Sequence, residues 1–496
     1  MEKIYYKSTR GSQDTIEASK AILKGIAEDG GLFVPCKIPK IDEELSVLSE
    51  MGYKELAYFV MSKFFTDFTE EELKECIEKA YDDKFDTKEI APMKKVGDTF
   101  FLELYHGPTL AFKDMALSIL PYLLTTSAKK QKLDKEIVIL TATSGDTGKA
   151  ALEGFTNIEG IKIIVFFPQK GVSEIQKMQM ITHQGINTYV VGIEGNFDDA
   201  QSGVKEIFTD KEFLRVLENN NYMFSSANSI NIGRLVPQIV YYFYAYLNLY
   251  KNGEIKEGEK INFSVPTGNF GNILAAYYAK QMGLPIDKLI CASNDNKVLY
   301  EFMDRGIYDK NREFYTTISP SMDILISSNL ERLLYLLSNE DSAKVIEFME
   351  DLKNKGSYEI DENMKKALKD FYGNFASEEE TKQAVNEVFK EFDYLIDTHT
   401  AVAYSANKKY KEASKDTNKT VIVSTASPYK FTYAVMGSID QKYSKSDDFE
   451  LVKEMSKLID TEEPKAIKDI DKREIIHKTV SRKDEMKLQV EKILNI

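Results

Sequence analysis

Lys113 stands in His106-Gly107-Pro108-Thr109-Leu110-Ala111-Phe112-Lys113-Asp114, and apolar residues continue beyond it at helical spacing through Met115, Leu117, Ile119 and Leu120. A lysine taken out of water loses its proton more readily, and the free amine can form a Schiff base or carry protons. The same local sequence also fits an aliphatic stem that snorkels to water beside Asp114. Three turns at the carboxyl ends of expected strands offer partners for such an amine. Thr141-Ala142-Thr143-Ser144-Gly145-Asp146-Thr147-Gly148 is rich in hydroxyls and glycine and leads into a helix whose first N–H groups can bind an anion. It is not a nucleotide P-loop: that motif needs Gly where Thr143 stands and Ser or Thr where Ala150 stands.

The second turn, Pro266-Thr267-Gly268-Asn269-Phe270-Gly271-Asn272, again follows a strand and opens a helix. Its two glycines let the backbone approach a bound group closely, which suits the phosphate of a cofactor; a plain helix entry reads equally well. In the third, Ser424-Thr425-Ala426-Ser427-Pro428, a hydroxyl leaving the sheet could face a ring nitrogen, or the segment could be an ordinary turn. Lys149 reads as a solvated first-turn lysine. The four histidines, His106, His183, His399 and His477, have no metal-ligand spacing, and Cys36, Cys76 and Cys291 read as small buried hydrophobes rather than a disulfide or zinc site.

The elements that must position these residues alternate. Apolar and β-branched runs at Ile137–Leu140, Ile161–Phe167, Thr188–Ile193, Ile261–Val265, Lys288–Ala292 and Val421–Val423 are separated by helical patterns. That alternation predicts a doubly wound parallel α/β sheet, with ligands at the strands' carboxyl ends. An N-terminal α-rich unit occupies 1–98, a catalytic domain 99–431, and a charged helical extension 432–496. The balance of 65 basic and 79 acidic residues gives a net charge of −14, which opposes binding to nucleic acid or anionic lipid. No stretch reaches the ~18 uncharged apolar residues of a membrane span, and Leu235–Tyr250, with Gln238, Asn248 and several tyrosines, reads as a buried helix. The start MEKIYYKSTRGSQ has no apolar signal region, so a cytoplasmic protein is expected.

His106 to Asp114, Ser144 to Gly148 and Pro266 to Asn272 together resemble the threonine synthase family, within the group of pyridoxal-phosphate enzymes that share the tryptophan-synthase β-chain fold. Tyr6-Lys7-Ser8-Thr9-Arg10-Gly11 and Asp29-Gly30-Gly31-Leu32-Phe33-Val34-Pro35 look like that family's leading domain. Asn228-Ser229-Ile230-Asn231-Ile232-Gly233-Arg234 and Ser319-Pro320-Ser321-Met322-Asp323 look like its interior signatures. The likeness runs from the start to about residue 431. The leading domain separates it from dehydratases and cysteine synthases of the same fold.

The resemblance implies fold type II, pyridoxal 5'-phosphate as cofactor, and conversion of O-phospho-L-homoserine and water to L-threonine and phosphate. It makes Lys113 the Schiff-base lysine and acid/base, Phe112 a neighbour of the ring, Gly268, Asn269, Phe270, Gly271 and Asn272 the cofactor-phosphate loop, and Thr425 the partner of the pyridine nitrogen. Asp146 falls where relatives often have Asn near the cofactor's 3'-oxygen. Ser144, Thr147, Ser229, Asn231 and Arg234 are implied to hold the substrate's carboxylate and phosphate. For Arg234 there is also a physical warrant: a phosphate ester entering so acidic a protein needs a fixed local cation, and guanidinium grips phosphate bidentately. Ser427 stands where many relatives have His, and Tyr429 where they have a smaller residue. His106 is expected to be structural; His399 either positions a moving domain or is a satisfied buried histidine. The segment 135–240 is implied to close over the substrate, and the assembly to be a monomer or homodimer. A dehydratase of the same cofactor group and a catalytically silent relative are the rival readings.

Overall fold

The structure, a computed structural model, describes residues 2–11, 14–143, 145–169 and 172–496. Its strands, in chain order, are β1 (Tyr6–Ser8), β2 (Phe33–Pro35), β3 (Met93–Val96), β4 (Thr99–Glu103), β5 (Glu136–Ala142), β6 (Ile161–Pro168), β7 (Thr188–Glu194), β8 (Tyr222–Ser225), β9 (Ile261–Pro266), β10 (Ile286–Ser293), β11 (Ile307–Asp309), β12 (Ser357–Glu359), β13 (Phe371–Phe375), β14 (Thr420–Ser424) and β15 (Val480–Arg482). All six expected runs are strands. They build two separate sheets: six strands in the order β13-β10-β9-β14-β4-β3, and five in the order β15-β7-β6-β5-β8. Every pairing is parallel except the edge pair β3/β4. The fold is therefore the expected α/β class, with parallel strands so apolar that β9 and β14 are buried along their whole length.

The helix Ile232–Lys251 runs through the interior with all its residues from Ile232 to Leu247 buried. A helix apolar on every side belongs in a core or a membrane, and its buried Gln238 and tyrosine hydroxyls are hydrogen-bonded inside the protein. Each of its fully buried tyrosines, Tyr241, Tyr242 and Tyr246, contributes roughly 1.5–3 kcal/mol of apolar burial. No helix of the described residues is long and apolar enough to cross a membrane. The N-terminal helix Tyr53–Phe64 packs against this central helix and joins the largest core cluster.

Residues 432–496, expected as a helical extension, divide between the two sheets and include a strand. The helix Asp448–Leu458 buries Leu451, Val452 and Met455 against the six-stranded sheet's outer cluster. β15 adds to the edge of the five-stranded sheet beside β7, and the helix Met486–Leu494 buries Met486, Val490 and Leu494 over it. Each helix carries only a narrow apolar stripe within charged residues, which hides its core face from a composition reading.

Candidate active site

The lysine loop is held against the end of β14. Phe112 N–H donates to the Thr425 carbonyl (2.8 Å), Ser427 N–H donates to the Leu110 carbonyl (3.0 Å), and Ala111 bridges Ala426. Leu110 adopts φ 60°, and Asp114 closes the turn by accepting from Thr109 N–H (2.8 Å) and Thr109 Oγ1 (2.6 Å). Lys113 follows as the cap of the short helix Asp114–Leu117, with its side chain only 13% exposed. Burial depresses its pKa, and the nearby charges of Lys430 and Arg234 act in the same direction, while Asp146 opposes them. The snorkelling alternative does not describe this lysine: Nζ points inward, 3.4 Å from both Asp146 Oδ2 and Ser321 Oγ.

Asp146 begins the helix Asp146–Phe155 and is the hub of the cluster. Its Oδ1 accepts from Lys430 Nζ (2.7 Å) and Gln176 Nε2 (2.8 Å), and its Oδ2 accepts from Ser321 Oγ (3.2 Å) as well as Lys113. Against the upward push of burial, Lys430 and Lys113 hold its carboxyl far below the usual carboxylate range. Gly145, at φ 143°, has Gln176 where a Cβ would be, 2.6 Å away, so the turn admits no side chain there. In this turn two of the donors are already used. Thr143 Oγ1 accepts from the N–H groups of Gly145 (3.0 Å) and Gly148 (2.9 Å), and the negative charge at the helix start is the protein's own Asp146. The expected anion cradle is thus partly filled from within, while the N–H groups of Asp146 and Thr147 find no acceptor among the described residues. Thr147 stands half-buried beside Asp146, and Ser144 lies outside the described residues.

The second turn is the opposite case. Among the described residues, the N–H groups of Gly268, Asn269 and Phe270 find no acceptor, and the helix Gly271–Met282 opens with no acidic residue in its first turn. Phe270 takes φ 64°. A Cβ on Gly268 would lie 2.7 Å from the Ser321 carbonyl oxygen, so the glycine keeps the loop and residues 319–323 in close approach. Asn272 Oδ1 accepts from Tyr241 (2.5 Å) and Tyr242 (2.6 Å), leaving its buried Nδ2 without a partner among the described residues. Free amides, a helix N-terminus and an orphaned donor suit a phosphate group. Thr425, just past the end of β14, is buried, and its hydroxyl bonds to no described residue.

Arg234 is 3% exposed, donates from Nη1 to the Ala227 carbonyl (2.9 Å), and has no carboxylate partner among the described residues; its buried Nε is unsatisfied. Burial alone lowers its pKa to about 10. Ser229 Oγ accepts from Asn329 Nδ2 (3.2 Å), which also donates to the Asn269 carbonyl (2.9 Å), so this side of the site is tied to the second turn. Asn231 departs from expectation. Its Oδ1 caps Gly233 N–H and its Nδ2 donates to the carbonyls of Ile22 and Ser226, all at 2.9 Å, so the amide is consumed in holding the helix start and has no group left for a substrate.

Sequence reasoning missed Lys430, Gln176, Asn329 and Arg332. Arg332, fully buried, donates to the Phe33 and Ile230 carbonyls and to Asn329 Oδ1, joining the N-terminal unit to both sides of the site. Lys149 is a further correction. It is buried, not solvated, bonded to Glu153 (2.5 Å) and His183 (3.0 Å) beside a cavity of about 430 Å³, because the helix Asp146–Phe155 turns this face inward. Tyr429 points away from the site to Ser456 (2.8 Å) and Thr461 (2.9 Å), which accounts for the large residue there. His399 donates from Nδ1 to Asp397 (2.7 Å) and accepts at Nε2 from Ser321 N–H (3.1 Å), holding the segment whose hydroxyl touches Lys113 and Asp146.

Three family models match the chain: "Threonine synthase N terminus" over residues 5–81, "Pyridoxal-phosphate dependent enzyme" over 89–352, and "Threonine synthase, C-terminal" over 400–480. Threonine synthase of Saccharomyces cerevisiae is 37% identical, with 91% of this chain and 93% of that protein aligned. "Threonine synthase-like 1" of Macaca fascicularis is 42% identical over 86% of this chain, which spans only 58% of that protein's length. The pyridoxal-phosphate-bound threonine synthase structure from Brucella melitensis superposes with a TM-score of 0.87 at 35% identity, covering 99% of both chains.

Proposed function

The chain belongs to the threonine synthase family, and from that premise we propose that it converts O-phospho-L-homoserine and water to L-threonine and phosphate with pyridoxal phosphate as cofactor. The observation that carries the reading is two unfilled anion sites near one buried amine: the turn 268–272, packed on the segment whose Ser321 hydroxyl meets Lys113, and the guanidinium of Arg234, which has no carboxylate partner among the described residues and a buried, unsatisfied Nε. A cofactor phosphate and a substrate phosphate are the two anions that this reaction brings together. When bound, the cofactor's ring supplies an electron sink for negative charge developing on the substrate's α and β carbons.

The chain's own residues do the rest. Gly268 to Asn272 would hold the cofactor's phosphate, and Phe112 would pack near its ring. The Thr425 hydroxyl would face the ring nitrogen and Lys113 would carry the cofactor. Lys113, whose pKa burial depresses, takes the proton from the substrate's Cα and then one from Cβ. Arg234 binds the substrate phosphate until it leaves, and Ser229 orients it from the same side. Ser144 and Thr147 would bind the substrate carboxylate, and Asp146 lies 3.4 Å from Lys113 Nζ as its hydrogen-bonding neighbour. The unit 135–240 carries Asp146, Thr147 and Arg234's approach, and its closure would shut water out. The net charge of −14 and three free cysteines support a cytoplasmic enzyme without a nucleic-acid partner. The test is phosphate and L-threonine formation from O-phospho-L-homoserine: equal yields by the wild type and none by Lys113→Ala are expected, and absence of both products with the wild type would sink the assignment.

A further inference from the structure

Lys430 follows the Thr425 turn on the short 3-10 segment Pro428–Lys430, and its side chain is completely buried. A buried ammonium needs full compensation, and its hydrogen bonds go to two acceptors: the Thr109 carbonyl (2.8 Å) at the base of the lysine loop, and Asp146 Oδ1 (2.7 Å). Asp146 therefore stands between two lysines, with the shorter contact to Lys430 and the longer, 3.4 Å, to Lys113. The charged groups that face Lys113 are Asp146 on its helix, Lys430 beyond β14 and Arg234 on the central helix. Behind Ser321 stands His399 with Asp397.

We infer that Lys430 is a positioning residue for Lys113: by engaging the far oxygen of Asp146 it neutralises that carboxylate and leaves Lys113 a free amine. Without Lys430, Asp146 is a buried anion whose only cationic neighbour among the described residues is Lys113, and it would draw a proton onto it. The direction of the shift at Lys113, with Lys430 opposing Asp146, agrees with the geometry. Lys430 also fixes the lysine loop through Thr109, so one side chain sets both the position and the charge state of the amine. The inference rests on the reading of Lys113 as the acid and base of the site.

The test is the pH dependence of trace acetylation of Lys113 by acetic anhydride in the full-length protein freed of cofactor, read by mass spectrometry. Lys430→Met should move the labelling midpoint to higher pH by about one unit or more, about tenfold in rate at a fixed pH below the midpoint. Asp146→Asn, which leaves Lys430 unopposed, should move it lower. Lys430→Arg and the double variant Lys430→Met with Asp146→Asn should both return it towards the wild type. A midpoint unchanged by both single substitutions overturns the inference, as does a double variant no closer to the wild type than Lys430→Met. If Lys430→Met does not fold, the Asp146→Asn arm decides by its sign. On the cofactor-loaded protein the acid limb of phosphate release should move in the same order. Labelling needs no O-phospho-L-homoserine, so failure of the proposed reaction would leave this ordering readable.

Discussion

The turns after β5 and β9 have the same build, strand into glycine turn into helix, yet they end in opposite electrostatic states. The turn after β5 spends N–H groups on Thr143 and starts its helix with Asp146, a carboxylate paired with Lys430 at 2.7 Å and 3.4 Å from Lys113. Among the described residues, the turn after β9 leaves the N–H groups of Gly268, Asn269 and Phe270 and Asn272 Nδ2 without partners, and has no acid in the first helical turn. A helix N-terminus attracts negative charge in either case; one is supplied by the chain, the other must come from a ligand. Two similar glycine motifs therefore do not imply two phosphate sites.

Lys113, between the two turns, gives the largest expected effect. Lys113→Ala should reduce phosphate release from O-phospho-L-homoserine by about 10³-fold or more, at the upper end of what a positioned acid and base supplies. Asn272→Asp would give the second turn the charge of the first. One aspartate oxygen can still accept from Tyr241 and Tyr242, while the other sets a negative charge where the orphaned donor now lies. Cofactor affinity by spectroscopic titration should fall about 100-fold or more, and an unchanged affinity would break the contrast. Arg234→Lys keeps a cation but loses the fork, so KM should rise about tenfold with a smaller change in kcat.

Thr143→Val tests the self-filled turn. It strands two buried N–H groups and should cost about 1–2 kcal/mol in denaturant unfolding, with cofactor affinity little changed. The smallest effect concerns the support beneath Lys113. His106 sits between Asp86 (2.5 Å) and Glu103 (3.0 Å); against the cost of burial these carboxylates raise its pKa to about 9. A pKa raised on folding means that its stabilisation is complete below about pH 6.5 and is lost as pH rises through about 9. Unfolding midpoints of the wild type and His106→Gln should therefore converge between those limits, by on the order of 1 kcal/mol given that Asp86 is half-exposed.

Much of the fold could be read from the chain because buried parallel strands are continuous apolar runs, and all six expected runs lie within strands. The short edge strands β3, β8, β13 and β15 were not, since three to five residues with one covered face carry little pattern. At the site, Lys113 and the turn 266–272 were visible as local motifs. The capping role of Asn231 was hidden because an amide that caps a helix and one that binds a ligand look alike in sequence. Lys149 was misread for a related reason: a lysine's burial depends on which way its helix faces.

By itself the sequence determined the alternation of strand and helix, the glycine turns and the lysine between them, because each is local chemistry repeated at short spacing. Tertiary structure alone decided the charge state of the site. Lys430 lies 284 residues from Asp146 and 317 from Lys113 along the chain, and nothing near it in sequence marks it out. Only packing brings its amine to 2.7 Å from the carboxylate, and in a buried place that separation, rather than residue type, sets how strongly the two groups interact.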